Sequence, residues 1–267
     1  GDCLMLDGAL ILWFMLPFLS FIYAAYDLIR TTPAEPVMKI GWLLVILYTG
    51  PFGLFMYLLS CKEPLPGEHE TFTSNLWKQS LGSEIHCVAG DATGIIIAAI
   101  VLSFLTMSDS LEIIIEYIAG FASGWLIFQS IFMKKMFNTS YRTALKKTFM
   151  PEWLSMNMIM AGMMPVTFVW RLYSPLSMSA TTLPFWGSMA LATIVGSFLA
   201  YPINVWLVKT GLKHGMSTVK KETAPAEHKN HGNRMNMPTV SVAKLTSLTI
   251  LTLIFLAVGI SVPFLLM

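Results

Sequence analysis

Seven apolar blocks, each about 20 residues or longer, recur along a chain of 267 residues. A helix rises about 1.5 Å per residue, so a block of this length crosses a hydrocarbon layer roughly 30 Å thick. The expected fold class is all-α: a polytopic membrane helical bundle of seven transmembrane helices. The expected spans are about 8–30, 38–60, 84–106, 111–133, 153–172, 185–208 and 244–266, in a single transmembrane domain covering 1–267. Charged residues make up 12% of the chain and apolar ones 55%, where a soluble domain carries about 25% charge. A net charge of +2 provides no basic field for phosphate, which excludes a nucleic-acid partner. The lipid bilayer is the expected surrounding. No soluble domain remains: the longest polar stretches are 61–83 and about 209–243, and the second reads as a flexible cytoplasmic loop. A shorter connection, 134–151, reads as a basic helix lying on the membrane surface.

Loops 2–3, 4–5 and 6–7 carry fourteen lysines and arginines, from Lys62 to Lys244, against Arg30, Lys39 and Arg171 on the other face. The positive-inside rule then puts the N-terminus in the cytoplasm and the C-terminus outside, in a multi-pass membrane protein. The first block lacks a charged leader region and bears Tyr23, Tyr26 and Asp27 near its end, so it is expected to stay as a span. Cys3, Cys61 and Cys87 fall on or near the reducing side, and no disulfide is expected. The last span has no interior lysine for a Schiff base, since Lys244 sits at its entrance, which rules out retinal.

Charges inside spans are functional candidates by default. In the third span the run SEIHCVAGDATG places Cys87 and Asp91 on one helical face with His86 on its flank. Imidazole, thiol and carboxylate are transition-metal ligand types. The same run also supports helix packing through Gly90 and Gly94, or a proton relay through His86 and Asp91. In the fifth span Met156, Met160, Met163 and Met164 recur on one face. Thioethers suit monovalent copper, although methionine also fills gaps between helices. Asn157 requires a hydrogen-bond partner. In the sixth span Pro202 removes a backbone donor and is expected to kink the helix near Tyr201 and Asn204.

With spans three and five starting at the cytoplasmic side and span six ending there, these residues share roughly the inner half of the bilayer. One pocket is geometrically allowed. Glu116 and Asp27 would lie on the opposite side, as part of a proton path or as structural groups, Asp27 pairing with Arg30 (i, i+3). Gly120 and Gly124 read as helix packing without chemistry. The loop residues His214, His228 and His231, with Met216, Met235 and Met237, read as a solvated loop, with transient metal capture as the alternative.

At HCVAGD (His86 to Asp91), MPEWLSMNMIMAGMM (Met150 to Met164) and YPINVWLVKTGLKHGM (Tyr201 to Met216), the chain resembles the bacterial membrane family called domain of unknown function 4396. Similarity runs from about Trp77 to Met216, and the last stretch is its most specific part. The family pattern has a His-Cys pair followed three residues later by Gly, matched by His86, Cys87 and Gly90. A further Cys often comes next in the family, whereas this chain has Asp91. The resemblance implies a polytopic membrane fold and carries no established activity.

The function expected is binding or transport of a soft transition metal through the inner pocket. Copper is the favoured ion ahead of zinc, with no nucleotide cofactor. His86, Cys87, Asp91, Met156 and Met160 are the candidate metal ligands. Asn157, Glu116, Tyr201 and Asn204 are the pocket or proton-path residues, and Pro202 is the kink. The alternative is an accessory or assembly subunit of a larger membrane complex, or a homo-oligomer, without a metal of its own. An enzyme has the least support, because HExxH, nucleophile-elbow, P-loop and dinucleotide patterns are missing, and no catalytic residue is assigned.

Overall fold

The computed structural model describes residues 2–136, 138–216 and 240–266. The architecture is all-helical. The helices are α1 (Asp2–Arg30), α2 (Pro36–Thr49), α3 (Pro51–Ser60), α4 (His69–Thr73), α5 (Leu76–Leu102), α6 (Asp109–Ala122), α7 (Ser130–Met136), α8 (Tyr141–Tyr173), α9 (Leu183–Lys209) and α10 (Val242–Leu266). A π-helical stretch, Ser123–Gln129, joins α6 to α7. Among the described residues five helical stretches are long and apolar enough to cross a membrane: Leu76–Leu102, Asp109–Lys134, Tyr141–Tyr173, Leu183–Lys209 and Val242–Val262. Most of the segment expected as the 209–243 loop lies outside the described residues, with His228, His231, Met235 and Met237 in it.

The block expected as the second span, 38–60, is not one helix. Gly50, at φ 61°, and Pro51 divide it into helices of 14 and 10 residues. At about 1.5 Å per residue neither crosses a 30 Å layer. A Cβ on Gly50 would lie 2.6 Å from Pro17 Cγ, so the break sits beside the middle of α1. Ten residues later along α1, Asp27 accepts a hydrogen bond from Tyr57 of α3 at 2.6 Å and pairs with Lys62 at 3.0 Å. The chain therefore leaves α1, runs back along it to Pro17, and returns beside it to Asp27. This is a helical hairpin packed along α1. Two full spans would have put Asp27 and Lys62 on opposite faces. The expected Asp27–Arg30 pairing is replaced by Lys62, Tyr57, Thr31 and Thr32.

A labelling experiment checks this. In intact cells Arg30→Cys and Glu68→Cys are expected to show the same reactivity toward a membrane-impermeant maleimide. Opposite reactivity would restore the seven-span arrangement.

The segment 134–151 is not a separate surface helix either. Ser140 Oγ caps α8 by accepting from the Thr143 N–H at 3.2 Å, and α8 then continues through Pro151 to Tyr173. Capping satisfies a donor that a helix start otherwise leaves unpaired.

α5 is the central element: most of its side chains from Lys78 to Leu102 are buried. Its small residues let neighbours approach closely. A Cβ on Gly90 would lie 2.6 Å from Gly124 Cα, and one on Gly94 would lie 2.8 Å from Gly120 Cα, so the two GxxxG pairs face each other. α8 meets α9 where a Cβ on Gly162 would come within 2.7 Å of Gly196 Cα. α10 packs on α8, with Gly259 against Ala161.

Candidate functional site

α5, the π-helical stretch, α8 and the end of α9 bring ionisable side chains together inside the bundle. The Cys87 thiol donates to Glu152 Oε2 at 2.9 Å, and its sulfur accepts from Gln129 Nε2 at 3.0 Å and from Lys213 Nζ. Lys213 Nζ also donates to Asn204 Oδ1 at 2.8 Å and lies 3.6 Å from Glu152 Oε2. Asn204 Nδ2 donates onward to Ser155 Oγ at 3.0 Å. The Asp91 and Glu152 carboxyls converge on the same space above Gly124. Neither oxygen of Asp91, nor Oε1 of Glu152, has a hydrogen-bond partner. All of these side chains are buried.

Local structure accounts for each position. A π turn inserts an extra residue into the helix and re-aims the side chains beyond it, and such turns are frequent at functional sites. Here Gln129, at the end of the π-helical stretch, reaches Cys87, while Gly124, near its start, leaves room above Asp91 Oδ1 and Glu152 Oε1. The expected purely packing role of Gly124 is thus incomplete, because any side chain there would strike both carboxyls. Lys213 enters through the end of α9. Gly211, at φ 72°, reverses the chain, and the N–H groups of Leu212 and Lys213 both bond the Leu207 carbonyl at 3.0 and 3.1 Å. This left-handed cap turns Lys213 back into the bundle instead of toward water.

Lys213 lies past the last residue of α9. Burial alone would lower its proton affinity, but Cys87, Glu152 and Asp91 outweigh burial and hold its ammonium above the ordinary value of 10.5. Burial pushes the neighbouring His214 imidazole down to about 4, which sets it apart from a solvated loop histidine. Outside the bundle's centre, His69 Nε2 lies 3.8 Å from the buried Cys61 thiol, and burial lowers its pKa too. Cys61 and Cys87 are both free thiols.

Of the residues expected to form the site, Cys87, Asp91 and Asn204 come together. His86 does not join them through a hydrogen bond: its ring packs on Phe132 at 4.4 Å between centroids, and neither nitrogen has a hydrogen-bond partner. Met156 reaches Gly120, one turn before Gly124, and Met160 is fully buried. Asn157 joins three helices, accepting from Tyr117 at 2.6 Å and donating to Thr252 at 3.2 Å. Tyr201 donates to the Trp77 carbonyl at 3.2 Å. Pro202 lies within an unbroken α9. Glu116 is buried two helical turns from Gly124, near the Glu112–Arg171 pair. Among the described residues no group of three or more His, Cys, Asp or Glu is arranged to hold a metal ion.

Gln129, Glu152, Ser155 and Lys213 are site residues that sequence reasoning missed. Gln129 is a polar residue in an apolar span, the signal that singled out Asn157. Glu152 precedes the expected start of span five by one residue and so was not counted among the charges inside spans.

No curated protein and no solved structure matches the chain. Residues 19–60, which run from α1 through the hairpin, match the family described as Phospholipase_D-nuclease N-terminal. The longer match begins at the start of α5 and ends on Lys213, so it encloses every residue of the buried cluster. On that match, to Domain of unknown function (DUF4396) over residues 76–213, more than half its length, the chain belongs to the DUF4396 family.

Proposed function

We propose that this membrane protein exchanges a cation against protons, with Lys213 as a tethered stand-in that withdraws when the cation enters. The observation that carries this reading is the ammonium of Lys213, delivered by the cap of α9 onto Cys87 and Glu152. Buried charges are retained at such cost where they move ions or protons. Asp91 and Glu152 converge above Gly124, where an arriving cation would meet two carboxyl groups and compete with protons for them. The sulfur of Cys87 favours a soft ion, monovalent copper before zinc. His86 would have to turn away from Phe132 to take part.

The orientation that accompanies this reading rests on the helical hairpin. With 38–60 entering and leaving on one side, Arg30, Lys39, Lys62, Lys78, Lys134, Lys135, Arg142, Lys146, Lys147, Lys209, Lys213 and Lys244 share one face. Of the lysines and arginines among the described residues only Arg171 is opposite. The positive-inside rule makes the shared face cytoplasmic and puts the start of α1 outside, in a six-crossing bundle.

Reconstitution into liposomes holding a pH-sensitive dye tests the function. Wild type is expected to take up copper(I) with a matching luminal proton signal, and Cys87→Ala with Glu152→Gln to lower the uptake at least about tenfold. Neither copper(I) nor zinc(II) uptake above empty liposomes would overturn the reading. The accessory-subunit alternative has support in the apolar outer face of α10, where Ile250, Leu251, Ile254, Phe255 and Val258 are exposed. It predicts copurifying partner chains and no flux.

A further inference from the structure

Another buried carboxyl, in addition to Asp27 and Glu116, lies outside the Cys87 cluster. Glu84, on α5 one turn before Cys87, is 2% exposed, and neither of its oxygens has a hydrogen-bond partner. It lines a cavity of about 200 Å³ between α2, α3, α5 and α9. Phe52, Trp77, Phe198 and Tyr201 also line the cavity, the Phe52 and Phe198 rings lying 5.5 Å apart. Both sides of the Gly50–Pro51 break contribute to the lining, so the hairpin that fails to span the membrane is what opens this space.

The polar hydroxyls on the cavity lining are already committed within the protein. Thr49 donates to the Val45 carbonyl at 2.6 Å, Ser197 to the Thr193 carbonyl at 2.7 Å, and Tyr201 to the Trp77 carbonyl at 3.2 Å. The Glu84 carboxyl accepts no hydrogen bond and no lining residue is basic; the positive charge that acts on it comes from outside the cavity, from the Lys213 ammonium. A buried, unpaired carboxylate is costly, and a cation entering beside it relieves that cost. An inorganic cation needs several oxygen ligands, which this lining does not offer. A zwitterionic lipid headgroup would bring a phosphate that finds no counter-charge. An organic ammonium needs only one carboxylate, and aromatic faces attract it further.

We propose that this cavity binds a small lipophilic monocation, with Glu84 as counter-charge and the four aromatic side chains as walls. A cavity of about 150 Å³ takes benzene, so this one suits a body of about ten heavy atoms. The inference stands apart from the cation exchange at Cys87.

Saturable binding of radiolabelled benzyltrimethylammonium to the purified full chain tests it. Unlabelled cation should displace the label, and neopentylbenzene, the neutral isostere, should not. Glu84→Gln is expected to weaken binding at least about tenfold while eluting as wild type does. Ser197→Phe, which fills the cavity and leaves the carboxyl in place, should do the same. Cys87→Ala should bind as wild type does, which separates this site from the cation-exchange reading. Absence of saturable binding, equal binding by Glu84→Gln, or competition by the neutral isostere would overturn the proposal. Binding that requires Cys87 would overturn it as well, by assigning the cation to the other site.

Discussion

Gly124→Ala is expected to lower the unfolding temperature of the detergent-purified protein by roughly 10 °C, an effect on the order of 3 kcal/mol or more. A single methyl group carries this weight because of the atoms it would meet. The Cβ would collide with Asp91 Oδ1 and Glu152 Oε1 and lie 3.0 Å from Asp91 Cγ. Both oxygens end side chains, but these side chains are buried between packed helices. Asp91 is fixed on α5 and Glu152 on α8, and both are fully buried. On the α5 side the helices already touch backbone to backbone at Gly90, so α6 and the π-helical stretch cannot tilt the other way. Displacing the carboxyls also pulls Glu152 Oε2 off the Cys87 thiol, which leaves further polar atoms unpaired in a medium without water. Gly8→Ala provides the control: its Cβ would meet nothing within 4 Å, and alanine in an open helical site is neutral or mildly stabilising. Thermal scans read by size-exclusion chromatography compare the two. A Gly124→Ala protein melting with wild type would mean that the carboxyls do not converge on this glycine.

The same cluster shows which parts of the fold were legible in the sequence. Apolar length carries spans well, because a 27-residue run such as α5 or α9 has one way to satisfy its backbone in lipid. It carries breaks poorly. Residues 40–60 carry no charge, and only Gly50 with Pro51 marks the reversal. Cys87, Asp91 and Asn204 stood out as polar atoms within apolar runs. Lys213 did not, because hydropathy assigns a lysine beyond a span to water, while a positive φ at Gly211 turns it inward. Glu152 was hidden by a boundary: the charged start of α8 reads as surface, yet Ser140 begins the helix early enough to carry position 152 into the bundle. His86 was singled out for its chemistry, and geometry gave its ring to Phe132. Composition identifies which groups are unusual for lipid, and chain reversals decide which of them meet.

Lys213→Met is the second large effect expected, and it separates a charge role from a packing role. Methionine nearly preserves the length and the apolar stem of lysine and removes only the ammonium. Cys87 and Asn204 then lose a donor, and Glu152 loses its counter-charge at 3.6 Å. Removing one partner of a buried pair costs about 3–5 kcal/mol, because the charge left behind is neither hydrated nor compensated. A fall in unfolding temperature of roughly 10 °C is the result at neutral pH. Adding Glu152→Gln should return part of it, since the carboxylate that faced the ammonium at 3.6 Å is then neutral as well. The pH dependence gives an independent reading. The pKa of Lys213 is raised in the folded protein, so the native state holds that proton more tightly than the unfolded chain does. Its contribution is complete below the ordinary value of 10.5 and is lost as pH rises through the higher native value. Wild type should therefore lose stability across that alkaline window, and the Lys213→Met protein should lack this component. A variant that melts within a degree or two of wild type and keeps the same alkaline profile would show that the ammonium is not held by the cluster. The cation-exchange reading would fall with it.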